Sequence, residues 1–318
     1  MSDLEDLVAG ARDGQHRAIA RLLSLVEDAN PSVAEIARAL TPYTGRAQIV
    51  GLTGPPGVGK STSTSALLTA LRAQGKRVGV LAIDPSSPFS GGALLGDRIR
   101  MTEHATDPGV FIRSMATRGH LGGLSWATPQ AVRVLDAAGF DVVLIETVGV
   151  GQSEVDVVKL ADTTVVLLAP GMGDGIQAAK AGVLEIADVF VVNKADRDGA
   201  DATVHDLRQM ISLVRREIRG PSWRQPIVRT VAAKGEGVDD VVRALAEHHE
   251  WLVAHDELGR RRVARARDEV EAIALRRLRA ELADLRHGDR LAGLAERVVA
   301  RELDPFAAAD ALIADLRG

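Results

Sequence analysis

The chain has 318 residues, 46% of them hydrophobic and 26% charged, with a formal net charge of −4. This composition lies near the globular average and excludes wholesale disorder, and the lack of a basic surplus argues against nucleic-acid binding. Cysteine is absent, which excludes disulfides, thiolate metal sites and cysteine nucleophiles.

Leu4, Leu7, Val8 and Ala11, then Ala18, Ile19, Leu22, Leu23 and Val26, recur at helical spacing. Asn30-Pro31 breaks the pattern, Ser32 with Glu35 restarts it at capping-box spacing, as Ser2 with Glu5 starts the first, and Thr41-Pro42 stops it. Residues 1–45 are therefore predicted to form a helical N-terminal extension. From Gln48 the rhythm changes. Short β-branched runs at 49–52, 77–83, 110–114, 140–146, 163–169, 188–192 and 226–231 alternate with longer helical stretches. Most runs are apolar throughout, as in strands covered on both faces. Strands separated by helices predict right-handed βαβ units, so the fold class expected over 46–254 is α/β, a mostly parallel central sheet flanked by helices. Ligands of such sheets bind beyond the carboxyl ends of the strands.

Residues 255–318 read as helical. Val263, Ala266, Val270, Ile273, Leu278, Leu282 and Leu285 can line one face, Gly288-Asp289 interrupts, and Leu291, Leu294, Ala295, Val298 and Val299 continue. Asp304-Pro305 has the form of an N-cap followed by proline at the first helical position. The interleaved arginines and carboxylates read as a solvated face. The apolar stripe needs a partner, either the chain's own α/β domain or a second subunit. The N-terminus lacks a signal-peptide core and no apolar run reaches the roughly 18 residues of a membrane span, so a cytoplasmic protein without a membrane partner is expected.

Gly54-Pro55-Pro56-Gly57-Val58-Gly59-Lys60-Ser61 fits G-x-x-x-x-G-K-[ST] and stands between a predicted strand and a predicted helix, the context that a phosphate-binding P-loop requires. The loop from Gly54 to Thr62, with the N–H groups of its non-proline residues, would surround a phosphate at a helix N-terminus, Lys60 would reach the β- and γ-phosphates, and Ser61 would ligate Mg²⁺. Glu146-Thr147-Val148-Gly149 ends a strand, placing an acid in the Mg²⁺-holding role and the Gly149 N–H near a γ-phosphate. Glutamate is a departure from the usual aspartate. Val150 stands where many GTPases carry a water-orienting glutamine, and Gln152 follows two residues on. Slow intrinsic hydrolysis, raised by a partner, is the expectation.

Asn193-Lys194-Ala195-Asp196 follows a strand as the N-K-x-D pattern of guanine-binding loops. Asp196 can accept from guanine N1–H and N2–H₂, a donor pair that adenine lacks. Ala232-Ala233-Lys234 occupies the place of a third purine loop, with alanine where the S-A-K pattern has serine. Its expected contact is a backbone N–H to guanine O6. Asp84, at the end of a strand, can hold Mg²⁺ through water or act on the attacking water, Asp97 is a second acidic candidate for Mg²⁺, and Arg98 and Arg100 could clamp phosphate. Gly171 to Gly175, with Gln177 and Lys180 beyond, reads either as a mobile loop or as a plain strand–helix connector. The adjacent His248 and His249 read as surface residues.

Together GPPGVGKST, DPSSPFSGGALLGDRIRM, ETVGVGQSE, PGMGD and NKAD resemble the MeaB/ArgK group of P-loop GTPases, the family of the methylmalonic aciduria type A protein. The resemblance covers about 1–318. It implies a P-loop NTPase fold, GTP or GDP with Mg²⁺ held by Ser61, Asp97 and Glu146, and a homodimer joined through the C-terminal helices. It also implies a GTPase chaperone of adenosylcobalamin-dependent methylmalonyl-CoA mutase, gating cofactor loading and protecting the mutase. In that analogy 84–101, 146–154 and 171–180 are switches, and Asp174, Gln177 and Lys180 couple nucleotide state to the mutase. Three alternatives stand beside it: a chaperone of another acyl-CoA mutase, a kinase or ATPase as the old arginine/ornithine-transport label of this group says, and a metal-insertion GTPase, for which the Cys- or His-rich metal motif is lacking.

Overall fold

The computed structural model describes residues 3–84, 104, 106–116, 127–147, 159–171, 186–215, 222–286 and 289–315. Seven strands form one sheet: β1 (Gln48–Thr53), β2 (Val78–Asp84), β3 (Val110–Ala116), β4 (Val142–Thr147), β5 (Thr163–Leu168), β6 (Val189–Asn193) and β7 (Ile227–Thr230). Their order is β3-β2-β4-β1-β5-β6-β7, and every pairing is parallel. The central strands β1, β4, β5 and β6 are buried on both faces while the edge strand β7 is largely half-buried, and the fold is the expected α/β class.

Alternate residues serve opposite faces. Leu81, Ile83, Val143 and Ile145 join α1 (Asp3–Arg12), α2 (His16–Glu27), α3 (Val33–Leu40) and α5 (Ala127–Ala137) in one core. Val50, Leu52, Val80, Leu144, Val165 and Val191 join α4 (Lys60–Ala73) and α7 (Val238–Ala254) in the other. Val166, Leu168, Phe190 and Val192 pack on α6 (Ala200–Arg215). The N-terminal helices therefore do not stand apart from the sheet. Ile19, Leu22, Leu23, Val26, Ile36 and Leu40 are all buried within the first core. Arg113 on β3 ties α2 down by donating Nε to Glu27 at 3.0 Å.

Local capping follows the sequence in part. Asp304 caps α10 (Pro305–Asp315), accepting from Phe306 N–H at 2.9 Å and Ala307 N–H at 3.1 Å, with Pro305 in the first turn where its missing N–H costs nothing. Ser32 makes no side-chain cap on α3. Its N–H and hydroxyl instead both donate to Asn30 Oδ1, at 3.0 and 2.8 Å, an Asx turn that directs the hydroxyl back to Asn30 and away from the helix's first N–H groups. Ser2 lies outside the described residues.

The entry to β1 is fixed by two buried aspartates. Asp136 accepts from the N–H groups of Gly45, Arg46 and Ala47 at 2.5–3.1 Å, and Asp162 accepts from Ile49 N–H at 3.0 Å. These bonds set where β1 begins and hence where the loop after it emerges.

The chain divides into two compact units, Met1–Arg261 and Arg262–Gly318. The second holds most of α8 (Glu257–Arg286), α9 (Asp289–Val299) and α10. Leu294 is buried within it, whereas Val263, Val270, Leu278, Val299 and Phe306 are exposed. No helix among the described residues is long and apolar enough to cross a membrane.

Candidate functional site

Three loops leave the carboxyl ends of β1, β6 and β7, the end of a parallel sheet at which ligands bind. Leu52 of β1 pairs with Glu146 of β4, and Asn193 of β6 pairs with Thr230 of β7. The P-loop runs from Gly54 to Gly59 and opens α4 at Lys60. Two of its glycines are obligatory. Gly54 has φ +142°, and a Cβ there would lie 2.2 Å from the Leu167 carbonyl. Gly59 has φ +95°, and a Cβ would lie 2.6 Å from Asn193 Nδ2.

Lys60 is buried. Its ammonium donates back to the carbonyls of Gly54 at 2.6 Å and Pro55 at 3.1 Å, which holds it inside the loop. Ser61 donates its hydroxyl to Glu146 Oε1 at 2.6 Å, and both residues are buried. The sheet register thus brings the helix-opening serine and the acid near the end of the next-door strand into contact.

Asn193 staples the three loops together. Its Nδ2 donates to Val58 O in the P-loop at 2.8 Å, and its Oδ1 accepts from Thr230 Oγ1 and Ala232 N–H, each at 3.1 Å. Lys194, at φ +57°, reaches over the P-loop and donates Nζ to Gly57 O at 2.6 Å. Ala195 N–H bonds to Thr230 O at 3.0 Å. Asp196 is exposed at the rim and meets Lys234 Nζ at 3.1 Å. That ammonium holds the Asp196 carboxyl below its usual range, and Asp196 in turn raises Lys234. A cavity of 640 Å³ lies alongside, lined by Ser61, Thr62, Ala232 and Ala233 among others.

Gly54 to Thr62, Glu146, Asn193, Lys194, Asp196 and Ala232 to Lys234 are therefore brought together. Asp84 closes β2, opposite Ala116. Asp97, Arg98, Arg100, Gly149, Val150, Gln152, Asp174, Gln177 and Lys180 lie outside the described residues. Sequence reading missed Thr230, which shares Asn193 with the Ala232 amide. Its one legible signal was a hydroxyl residue at the carboxyl end of the last strand.

A second polar cluster corrects one expectation. His248 is not a surface residue but fully buried. Its Nδ1 lies 2.9 Å from Thr163 Oγ1 and its Nε2 3.3 Å from Asp188 Oδ1. Asp188 also accepts from Arg261 at 2.9 Å through both oxygens and from Thr164 N–H at 2.8 Å. Burial pushes the Asp188 carboxyl up, but the bonds from His248 and Arg261 outweigh it and hold it below the usual range. The spacing Val241, Leu245, His248, Leu252 marks the buried face of α7 and was the signal available for His248. This cluster sits where β5 and β6 begin, so it is a structural tie and not part of the nucleotide-facing surface.

Comparison with known proteins agrees with this geometry. A family described as methylmalonyl Co-A mutase-associated GTPase MeaB matches residues 19–286. A protein of Pyrococcus abyssi is 48% identical over 316 residues, covering 99% of this chain and 97% of its own. The mouse protein named methylmalonic aciduria type A homolog, mitochondrial, is 37% identical over 81% of this chain and 66% of its own length. The crystal structure titled LAO/AO transport system kinase superposes with a TM-score of 0.72 at 25% identity, covering 100% of this chain and 99% of that one. With the family matching residues 19–286 and a relative 48% identical along nearly the whole chain, on a parallel sheet that carries the P-loop motif, this protein belongs to the MeaB family of methylmalonyl-CoA mutase-associated GTPases.

Proposed function

We propose that this chain binds GTP across its three loops, hydrolyses it slowly when alone, and uses the two nucleotide states to gate adenosylcobalamin loading of a methylmalonyl-CoA mutase and to protect that enzyme. The observation that carries the nucleotide part is the Asn193 staple, which fixes the phosphate loop, the N-K-x-D loop and the third loop in one frame. In that frame Asp196 accepts from the guanine N1–H and N2–H₂ edge. The Ala232 N–H is engaged by Asn193, so a contact to guanine O6 falls to the next amide, Ala233. Backbone N–H groups from Gly57 to Thr62 and the Lys60 ammonium offset phosphate charge at the N-terminus of α4.

The donor set suits Mg²⁺. Ser61 and Glu146 offer a hydroxyl and a carboxylate, hard oxygen ligands within 2.6 Å of each other. Asp84 and Asp97 are further acidic donors for the same ion. Held by Ser61 and Glu146, the ion would supply positive charge that offsets the charge developing on the phosphates. Asp84 is proposed to position the attacking water and the Gly149 N–H to contact the γ-phosphate. Valine at 150 cannot orient water, which makes intrinsic turnover slow, no faster than the roughly 10⁻⁴ to 10⁻² s⁻¹ of unaided GTPases that carry the glutamine.

Family membership supports the client. In this reading Asp174, Gln177 and Lys180 carry the nucleotide state to the mutase, a second copy of the chain packs on the C-terminal helices, and the protein works in the cytoplasm. Phosphate release from GTP and from ATP, each with Mg²⁺ or with EDTA, tests the nucleotide assignment. Slow release from GTP with Mg²⁺ alone is expected. Equal release from ATP would overturn it.

A further inference from the structure

Asp196 must face the base with both carboxylate oxygens correctly turned, yet it stands on an exposed loop, 42% accessible. Among the described residues, the side chain that meets it is Lys234, whose Nζ lies 3.1 Å from Oδ2. The partner comes from a different loop, 38 residues on. Its backbone is tightly placed. Lys234 N–H donates to Val231 O at 2.8 Å, Val231 N–H donates to Glu236 O at 3.0 Å, and Gly235 turns the chain at φ +74°. The turn is in turn tied to the Asp196 loop through the Ala195–Thr230 and Asn193–Ala232 bonds. Ala232, buried and without a hydroxyl, stands where the S-A-K pattern has serine, so no polar side chain is available from that position.

We propose that Lys234 is a positioning residue for base selection: its ammonium, docked on Oδ2, turns and holds the Asp196 carboxylate toward the guanine N1–H and N2–H₂ edge. This rests on the guanine reading of the site. A carboxylate oxygen has two lone pairs, so Oδ2 accepts from Lys234 and from the base together. The bond is charge-assisted and its lysine is anchored on a hydrogen-bonded turn, so the ammonium stays within reach of Oδ2 and restrains the exposed carboxylate. The competing role is coverage of the base plane by the lysine stem, which would act equally on every purine.

GDP and IDP separate the two roles, because IDP lacks the N2 amino group that Asp196 reads. Affinities for GDP, IDP and ADP are measured by calorimetry on the full chain for wild type, Lys234→Met and Lys234→Arg. Methionine keeps an apolar stem without the ammonium, and arginine restores a cation. We expect Lys234→Met to weaken GDP about three- to tenfold and IDP less, narrowing the GDP/IDP ratio, with Lys234→Arg recovering most of that ratio. Melting temperatures should match, since the pair is exposed. An equal fall for GDP and IDP, or a Lys234→Met protein that binds both like wild type, overturns the proposal. A wild-type protein that binds ADP as well as GDP would overturn the guanine reading itself, a failure visible without any variant.

Discussion

Lys60 and Asp196 sit at opposite ends of the site and fail in different ways when changed. Lys60 is buried and its ammonium is held inside the loop by two carbonyls, and the proposed function gives it the phosphate charge to offset. Lys60→Ala should lower GTP turnover at least about 100-fold with little change in melting temperature; unaltered turnover would remove the phosphate-loop assignment. Asp196→Asn replaces an acceptor oxygen by a donor amide, facing guanine N2–H₂ with another donor. It should weaken GTP at least about tenfold and improve XTP relative to it, measured by competition binding; an unchanged base preference would contradict the reading. At this scale the sequence was most informative where a motif is contiguous. The P-loop and N-K-A-D declare themselves by spacing, because local backbone geometry makes the site. The Asp188–His248–Arg261 cluster did not, because its members lie 60 and 73 residues from Asp188 or more closely only through the fold, and no short pattern joins them.

Elements carry the next level. Alternation within β1, β2 and β4 divides their side chains between two cores, which is why continuous apolar runs, rather than alternating ones, marked the strands so well. Strand ends were less legible, by a residue or two, since pairing and not composition decides where a ladder stops. Asp188 shows what holds one such end. It joins the start of β6 to β5 through Thr164 N–H, to α7 through His248 and to the first turns of α8 through Arg261. Asp188→Asn should cost about 2–3 kcal/mol in denaturant unfolding, less than a fully buried pair because Arg261 keeps access to water. The pH dependence has a definite sign. The folded carboxyl titrates below its unfolded value near 3.9, so its contribution is complete above that pH and is lost as pH falls toward the folded value. Wild type should therefore lose stability below about pH 4 more steeply than Asp188→Asn; parallel curves would show that the tie is not ionic.

The whole molecule poses the question of what its apolar surface is for. Within Arg262–Gly318, Val263, Val270 and Leu278 are exposed along α8 at the seven- and eight-residue spacings of one helical stripe, with Phe306 and Val299 also exposed. In the proposed dimer this stripe is covered by a second copy. Val270→Asp with Leu278→Asp should then convert the protein to a monomer in light scattering while GDP affinity stays within about twofold; a wild type that is already monomeric would contradict the dimer. The sequence could mark the stripe but not its partner, since the same pattern fits the chain's own domain or a second subunit. Likewise the motifs identify a nucleotide site, but the client is a matter of surfaces that no motif spells out. The central claim is that this GTPase answers to a mutase, and it is tested most directly by GTP turnover with and without purified methylmalonyl-CoA mutase carrying adenosylcobalamin. A rise of about tenfold or more with the mutase, absent with ATP, is the predicted result. GTP turnover that the mutase leaves unchanged would contradict it.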